Sequence, residues 1–307
     1  MPNRTVPPSH RARSAKVRPL LTAVTVLVVI GASLTASNAQ ADVQPGSTHA
    51  PSHLGGSGMT AKLAAAECPP DGCYFYAGAQ QSKMSPPVTT LSALLTIDDP
   101  WMSSCCAYHT LAEITMQDTI SPLNNVIEFG WTRDNTKLYA DTKPRLFSSL
   151  WVDGVWQGYN RGFVDYEANT TVNMGQDLTP YLDTEKQFSI QYAAATKATP
   201  ARWWLWFDTN YVGYFPASSI PDFTGATAVQ VFGEVDAMDD DPCTDMGGNP
   251  AELPTSTTYT SRISSVTYDK EGPAVNLLPL APTPTRYGAV IKSGSSRTLN
   301  YGGPSTC

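Results

Sequence analysis

The 307-residue chain carries 20 basic and 27 acidic side chains, so its formal net charge at pH 7 is −7. An acidic chain lacks the basic surface that nucleic acid or an anionic membrane requires, and we expect neither as a partner. Hydrophobic residues make up 41% of the chain, which is enough for a folded core.

The first 41 residues predict a secretory signal peptide. Residues 1–19 contain five basic side chains and no acidic one, and the apolar run LLTAVTVLVVIGA follows at residues 20–32. Ala39 and Ala41 fit the small-residue rule for signal peptidase. The run is shorter than the ~20 residues of a membrane span, so we expect cleavage and export instead of a membrane anchor. The mature, extracellular chain would carry 15 basic and 27 acidic residues, a net charge of −12.

The remaining chain divides into a linker and one domain. Residues 42–67 are rich in Gly, Ser, Pro and Ala without apolar periodicity, which indicates a flexible linker. Residues 68–307 suit a single β-sandwich or barrel in length and composition. We expect this domain to be monomeric.

Short runs of β-branched and aromatic residues, separated by Gly, Pro, Asn and Asp, indicate strands throughout the domain. The predicted strands cover residues 110–116, 125–132, 145–152, 188–193, 202–207, 211–215, 226–235 and 261–269. Asp153 and Gly154 predict a hairpin turn, and residues 216–223 a short helix. Because no long amphipathic helix is visible, we predict an all-β fold, an antiparallel β-sandwich of many short strands.

The cysteines indicate disulfides and not metal ligands, because their number is even and the chain is predicted to be exported. They are Cys68, Cys73, Cys105, Cys106, Cys243 and Cys307. A bond between the adjacent Cys105 and Cys106 would strain the peptide that joins them. We therefore expect one or both to pair with Cys243 and Cys307.

Histidine is too scarce in the domain for the common hydrolytic sites. His10 precedes the apolar run, His49 and His53 lie in the predicted linker, and only His109 lies in the domain. A Ser–His–Asp or Cys–His triad would have one possible base, and zinc hydrolases use two or three histidines. The chain has no G-x-S-x-G motif and no P-loop. We interpret His109 as a hydrogen-bonded polar residue at a strand start, and we expect no metal or organic cofactor.

Two glutamates occupy strands that are otherwise apolar. In NVIEFGW, Glu128 shares a strand face with Gly130; in VQVFGEV, Glu234 shares a face with Gln230 and Phe232. Two carboxyls brought together cannot both ionise easily, so one pKa rises and the pair divides into an acid and a base. The spacing alone also allows each glutamate to be solvated or paired with a structural arginine.

A group of aspartates follows the second glutamate closely. They are Asp236, Asp239, Asp240, Asp241 and Asp245. Calcium would suit so many carboxylates, but the spacing is not that of an EF-hand. We interpret the segment as a solvated acidic loop.

Seven blocks, in order along the chain, resemble the Neprosin family. They are IEFGW at 127–131, DTKPRLFSSLW at 141–151, GYNRGFVDY at 158–166, RWWLWF at 202–207, VGYFP at 212–216, FGEV at 232–235 and TDMGG at 244–248. The closing YGGPSTC at 301–307 also resembles the end of the family's catalytic domain. Phe232 is a departure, since it stands where the family has one of two glycines.

The resemblance implies a secreted glutamic peptidase on an antiparallel β-sandwich, active in acid and cutting after proline. Residue by residue, the family's two catalytic glutamates fall on Glu128 and Glu234. We therefore expect an endopeptidase that acts on protein or peptide substrates with this pair. Two alternatives remain open: a glycoside hydrolase using the same carboxyls, and a non-catalytic carbohydrate-binding or adhesion module whose tryptophans bind the ligand.

Overall fold

We describe a computed structural model of the chain over residues 73–118, 125–166, 171–238, 243–248, 261–269, 274–280 and 286–303. The predicted signal peptide (1–41) and linker (42–67) lie outside these ranges. The described residues form fifteen strands and two short 3₁₀ helices, Thr179–Tyr181 and Ala217–Ser219. Their helices include none long and apolar enough to cross a membrane.

The strands are β1 (Cys73–Gln81), β2 (Thr90–Thr96), β3 (Ala107–Asp118), β4 (Asn125–Asp134), β5 (Arg145–Val152), β6 (Val155–Tyr159), β7 (Val164–Asp165), β8 (Glu185–Ala193), β9 (Arg202–Phe207), β10 (Asn210–Pro216), β11 (Ala228–Ala237), β12 (Ser261–Tyr268), β13 (Leu278–Leu280), β14 (Gly288–Ile291) and β15 (Leu299–Gly302). Sheet I has seven strands in the order β13-β1-β11-β3-β4-β5-β6, and sheet II has eight in the order β14-β15-β12-β2-β8-β9-β10-β7. Neighbouring strands are antiparallel, as in the pairs of β3 with β4 and of β8 with β9. The predicted all-β class and the antiparallel sandwich are confirmed.

The core lies between the two sheets and depends on the alternation of side chains along each strand. Ile127, Phe129 and Trp131 of β4 all point into it and are fully buried. The ring of Phe129 meets Phe188 of β8 edge-on, with centroids 5.3 Å apart. The indole Nε1–H of Trp131 donates to the carbonyl of Thr96 on β2 at 2.8 Å. Apolar burial and this hydrogen bond together join sheet I to sheet II.

The eight predicted strands correspond to β3, β4, β5 and β8–β12, and the predicted bounds of β5 and β9 agree with the structure. The hairpin turn at Asp153 and Gly154 joins β5 to β6, and both residues have positive φ angles, 56° and 74°. That combination fits a two-residue turn matched to the strand twist. The predicted short helix is the 3₁₀ turn at Ala217–Ser219.

The prediction that one or both of Cys105 and Cys106 pair with Cys243 and Cys307 is wrong. The structure bonds Cys105 and Cys106 to each other. Both lie in the turn that leads into β3, not within a strand. Adjacent side chains in a strand point to opposite faces, but in a turn they can converge. Cys73 and Cys243 each take part in a disulfide as well.

Gly130 is needed where β4 passes close to β3. It pairs with Glu113, and a Cβ at this position would lie 2.7 Å from the Glu113 Cα and collide with the carbonyl oxygen of Ala112. Both obstacles are backbone atoms, so a side chain could be accommodated only if the strands moved apart. The absence of a side chain at residue 130 therefore sets the spacing of the two strands.

We expect Gly130→Ala to destabilise the folded domain by roughly 3 kcal/mol through overpacking. Gly154→Ala is the matched control, since a Cβ there meets nothing within 4 Å and only the φ of 74° is unfavourable. Its cost is about 1 kcal/mol. Urea unfolding of both variants measures the difference, and equal losses would show that Gly130 is not constrained by packing.

Candidate active site

The outer face of sheet I is polar, and we call it the polar face. Side chains alternate, so the odd-numbered residues of β3 and the even-numbered residues of β4 and β11 point away from the core. The polar residues there that are at most 1% exposed are His109, Glu113, Thr115, Gln117, Glu128, Thr132, Asp134, Gln230, Glu234 and Asp236. Carboxyls are rarely so buried, and a cluster of them indicates a functional site.

Both predicted catalytic glutamates lie on the polar face, but β3 separates them. Glu128 of β4 pairs with Thr115, and Glu234 of β11 pairs with Leu111, four residues earlier on β3. With a strand spacing of about 4.8 Å and a rise of about 3.3 Å per residue, their Cα atoms are roughly 16 Å apart. The structure therefore brings the two glutamates to one face without placing them side by side.

Glu113 of β3 lies between them. It stands two residues from both Thr115 and Leu111, so it is the diagonal neighbour of Glu128 on one side and of Glu234 on the other. Among the described residues, neither of its carboxyl oxygens has a hydrogen-bond partner. Burial first, and then the charges of Glu128 and Glu234, raise the pKa of Glu113 well above its ordinary value. Its surroundings therefore favour the neutral, protonated form of Glu113.

Glu128 is surrounded by neutral hydrogen-bond donors. The indole Nε1–H of Trp151 donates to its Oε1 at 3.0 Å, and the side chain of Ser149, the opposite residue on β5, also hydrogen-bonds to it. Burial raises the pKa of Glu128 to about 8, although the bonds from Ser149 and Trp151 act in the opposite direction. Glu128 therefore holds a proton in acid and can donate it.

Glu234 has a different partner, the imidazole of His109. The distance from His109 Nε2 to Glu234 Oε1 is 2.7 Å, and both side chains are fully buried. The other ring nitrogen, Nδ1, lies 3.8 Å from Oδ2 of Asp236. The interpretation of His109 as a hydrogen-bonded polar residue is confirmed, but its partner belongs to the candidate site.

Sequence reasoning missed two parts of this arrangement. Glu113 satisfies the criterion that singled out the predicted pair, a glutamate on an apolar strand, and it could have been found in the same way. The interpretation of the aspartates after Glu234 as a solvated loop is wrong for Asp236 and Asp245, which are buried. Asp236 is still part of β11, and burial raises its pKa to about 8. The described residues contain no group of three or more side chains suited to hold a metal ion.

Gln230 shares a cross-strand row with Glu128, because both pair with Thr115 from opposite sides of β3. Its amide oxygen accepts a hydrogen bond from Gln117 Nε2 at 3.1 Å. This bond fixes the position of the amide oxygen, so the opposite end of the Gln230 amide carries the N–H donors.

We expect the folded state to become more stable as the pH falls from 8 to 5. Burial raises the pKa of Asp98 to about 7 and those of Glu128 and Asp236 to about 8, above their unfolded values. Such a group binds its proton more tightly when folded, so its stabilising contribution is complete at low pH and is lost as the pH rises through the folded pKa. Thermal unfolding across this range measures the effect.

Asp98→Asn should reduce this loss of stability at pH 8 by on the order of 1 kcal/mol. Asp177→Asn is the control, because Asp177 is partly exposed, pairs with Lys143 and has a lowered pKa. It should leave the change between pH 8 and pH 5 as in the wild type. A melting temperature that falls on acidification would contradict the expectation.

Solved structures and a family model are similar to this chain. Scytalido-glutamic peptidase, crystallised with a peptide-based transition-state analogue, has 10% identity and a TM-score of 0.34 over 75% of this chain and 98% of its own. SCP-B, a peptidase of the Eqolisin family in complex with the tripeptide Ala-Ile-His, has 9% identity and a TM-score of 0.30 over the same shares. The family model Neprosin matches residues 107–304, which is well over half of the chain and includes all the buried polar residues of the polar face. We conclude that the chain belongs to the Neprosin family of glutamic peptidases.

Proposed function

We propose that this peptidase is secreted, works in acid and cuts within polypeptide chains, with Glu128 and Glu234 as its catalytic carboxyls. The observation that carries the proposal is that these two buried glutamates have opposite environments. Glu128 accepts hydrogen bonds from neutral donors and has a raised pKa, whereas Glu234 contacts an imidazole at 2.7 Å. Titratable groups that environment drives apart in this way take the roles of acid and base.

Glu234 is the base in this mechanism. Its Oε1 lies 2.7 Å from Nε2 of His109, and a ring N–H that donates to a carboxyl at this distance favours the ionised form of that carboxyl. The Glu234 carboxylate removes a proton from a water molecule. The oxygen of that water forms a bond to the carbonyl carbon of the scissile peptide.

Glu128 is the acid. Its proton passes to the amide nitrogen as the C–N bond breaks, which converts the leaving group into a neutral amine. The N–H groups of Gln230, in the same row as Glu128, are suited to stabilise the negative charge that develops on the carbonyl oxygen. At the end of the step Glu128 is ionised and Glu234 carries a proton.

The aromatic surface beside Glu128 supports a preference for proline. Trp151 and Trp156 are partly exposed and form a cross-strand pair on β5 and β6, and Trp156 also donates a hydrogen bond to Ser149 at 2.9 Å. Flat aromatic rings pack well against a pyrrolidine ring. We propose that this pair binds the proline side of the substrate.

Glu128→Gln and Glu234→Gln should each lower kcat for peptide hydrolysis by at least about 10³-fold. Glutamine keeps the shape of the side chain but can neither remove a proton from water nor deliver one. The double variant should be scarcely slower than either single one, because residues that act as a unit are not additive. Hydrolysis of a quenched fluorescent peptide containing proline, assayed between pH 3 and pH 8, measures the effect.

Asp98→Asn is the matched control, since Asp98 is a buried carboxyl that hydrogen-bonds to Ser261 of sheet II and lies away from the polar face. Its activity should equal that of the wild type. Circular dichroism of every variant establishes that the fold is intact. A folded Glu234→Gln protein with near wild-type kcat would remove Glu234 from the chemistry and leave Glu128 to be explained alone.

Secretion is tested at the N-terminus of the exported protein. Because Ala39 and Ala41 precede the expected cleavage point, Edman sequencing should begin at Asp42 or within a few residues of it. Recovery of the intact Met1 end in a membrane fraction would contradict the proposal. The catalytic assignment does not depend on this outcome.

A further inference from the structure

The proposed chemistry leaves the two glutamates in the wrong state for a second turnover. After cleavage Glu234 is protonated and Glu128 is ionised, so one proton has to return from β11 to β4 across β3. Both side chains have no exposed surface, so their exchange of protons with bulk water is restricted. A titratable group on β3, the strand between them, could carry the proton without exchange with bulk water.

We propose that Glu113 carries this proton, and that it acts through Glu128 and Glu234 without touching the substrate. Glu113 stands on the intervening strand and is the diagonal neighbour of both glutamates. Diagonal neighbours on one face of a sheet lie within reach of long side chains. The proposal rests on the proposed function, because it assumes that Glu128 is the acid and Glu234 the base.

The surroundings of Glu113 suit a relay better than a structural role. Its carboxyl has no hydrogen-bond partner among the described residues, and its row neighbours are Phe232 on β11 and Gly130 on β4. A buried polar group without a partner costs free energy, so Glu113 is not there to stabilise the sheet. The charged groups that act on it from the two adjacent strands are Glu128 and Glu234.

The transfer balances without any other reactant. Glu113 begins as a neutral acid, gives the proton on one oxygen to the Glu128 carboxylate and accepts the proton of Glu234 on its other oxygen. Glu128 is then protonated, Glu234 is ionised and Glu113 is again neutral. A half-turn of the Glu113 carboxyl about its Cγ–Cδ bond restores the starting arrangement.

The relay acts after the C–N bond has broken, and this position in the cycle gives its kinetic signature. Glu113→Gln should lower kcat at least about tenfold while kcat/KM changes less than about threefold, because kcat/KM reports the steps up to the first irreversible one. Stopped-flow assays with the quenched fluorescent peptide should show a burst of about one product per enzyme, followed by slow steady turnover. The wild type should show no burst.

Two further variants separate a relay from a structural effect. Glu113→Asp retains a titratable carboxyl on a shorter side chain and should recover part of kcat, with a smaller burst. Glu113→Ala should regain turnover in a formate buffer, because formic acid is a carboxyl small enough to enter the vacated space, whereas chloride at equal ionic strength should not restore it. Asp98→Asn removes a buried carboxyl that hydrogen-bonds to Ser261 of sheet II, and this variant should behave as the wild type in all these assays.

Each outcome bears on one proposal. If Glu128→Gln is inactive but Glu113→Gln turns over at the wild-type rate, the relay is wrong and the catalytic pair stands. Equal losses in kcat and kcat/KM without a burst would also overturn the relay and give Glu113 a role in the chemical step or in folding. If the wild-type chain cleaves no peptide at any pH, the proposed function itself fails, and the relay fails with it.

Discussion

The free-energy cost of burying carboxyl groups on the outer face of sheet I governs the chemistry of this molecule. Glu113, Glu128 and Glu234 have no exposed surface. Burial favours the neutral form of an acid, so the proton count of the cluster is set by its dry surroundings and by mutual repulsion. Each carboxyl is then distinguished by its own neighbours: indole and hydroxyl for Glu128, imidazole for Glu234, and Phe232 and Gly130 for Glu113.

The strands that carry the buried carboxyls of the polar face also bury apolar side chains in the core, and this apolar burial offsets the free-energy cost of burying the carboxyls. On β4, Glu128 and Gly130 point outward, whereas Phe129 and Trp131 point into the core and are fully buried. The side-chain period of two makes one strand serve both purposes, and a register slip of one residue would exchange the faces. The close approach at Gly130 and the unbroken pairing of β3 with β4 over ten residues oppose such a slip.

The fold was largely predictable because its strands carry local signals. RLFSSLWV and RWWLWF are rich in aromatic and aliphatic residues and end at turn residues, and the sequence alone defines their bounds. In contrast, β1 (CYFYAGAQQ) and β2 (TLSALLT) contain Ala, Gly, Ser and Leu, which have no strong strand preference, and they become strands by pairing with β11 and β8. The bond between Cys105 and Cys106 was missed because it depends on the shape of a turn.

The site was predictable only in part, for a reason that lies in the sheet order. The sequence indicates which face of a strand a residue occupies, but not which strand lies beside it. In sheet I, β3 lies between β4 and β11, although β11 begins more than a hundred residues after the end of β3. The hydrogen bond from His109 to Glu234 and the intermediate position of Glu113 exist only because of that insertion. A catalytic pair on adjacent strands would exchange protons directly. In the mechanism proposed above, β3 separates the two glutamates, and the outward residue of β3 that lies between them is itself a glutamate and can transfer a proton.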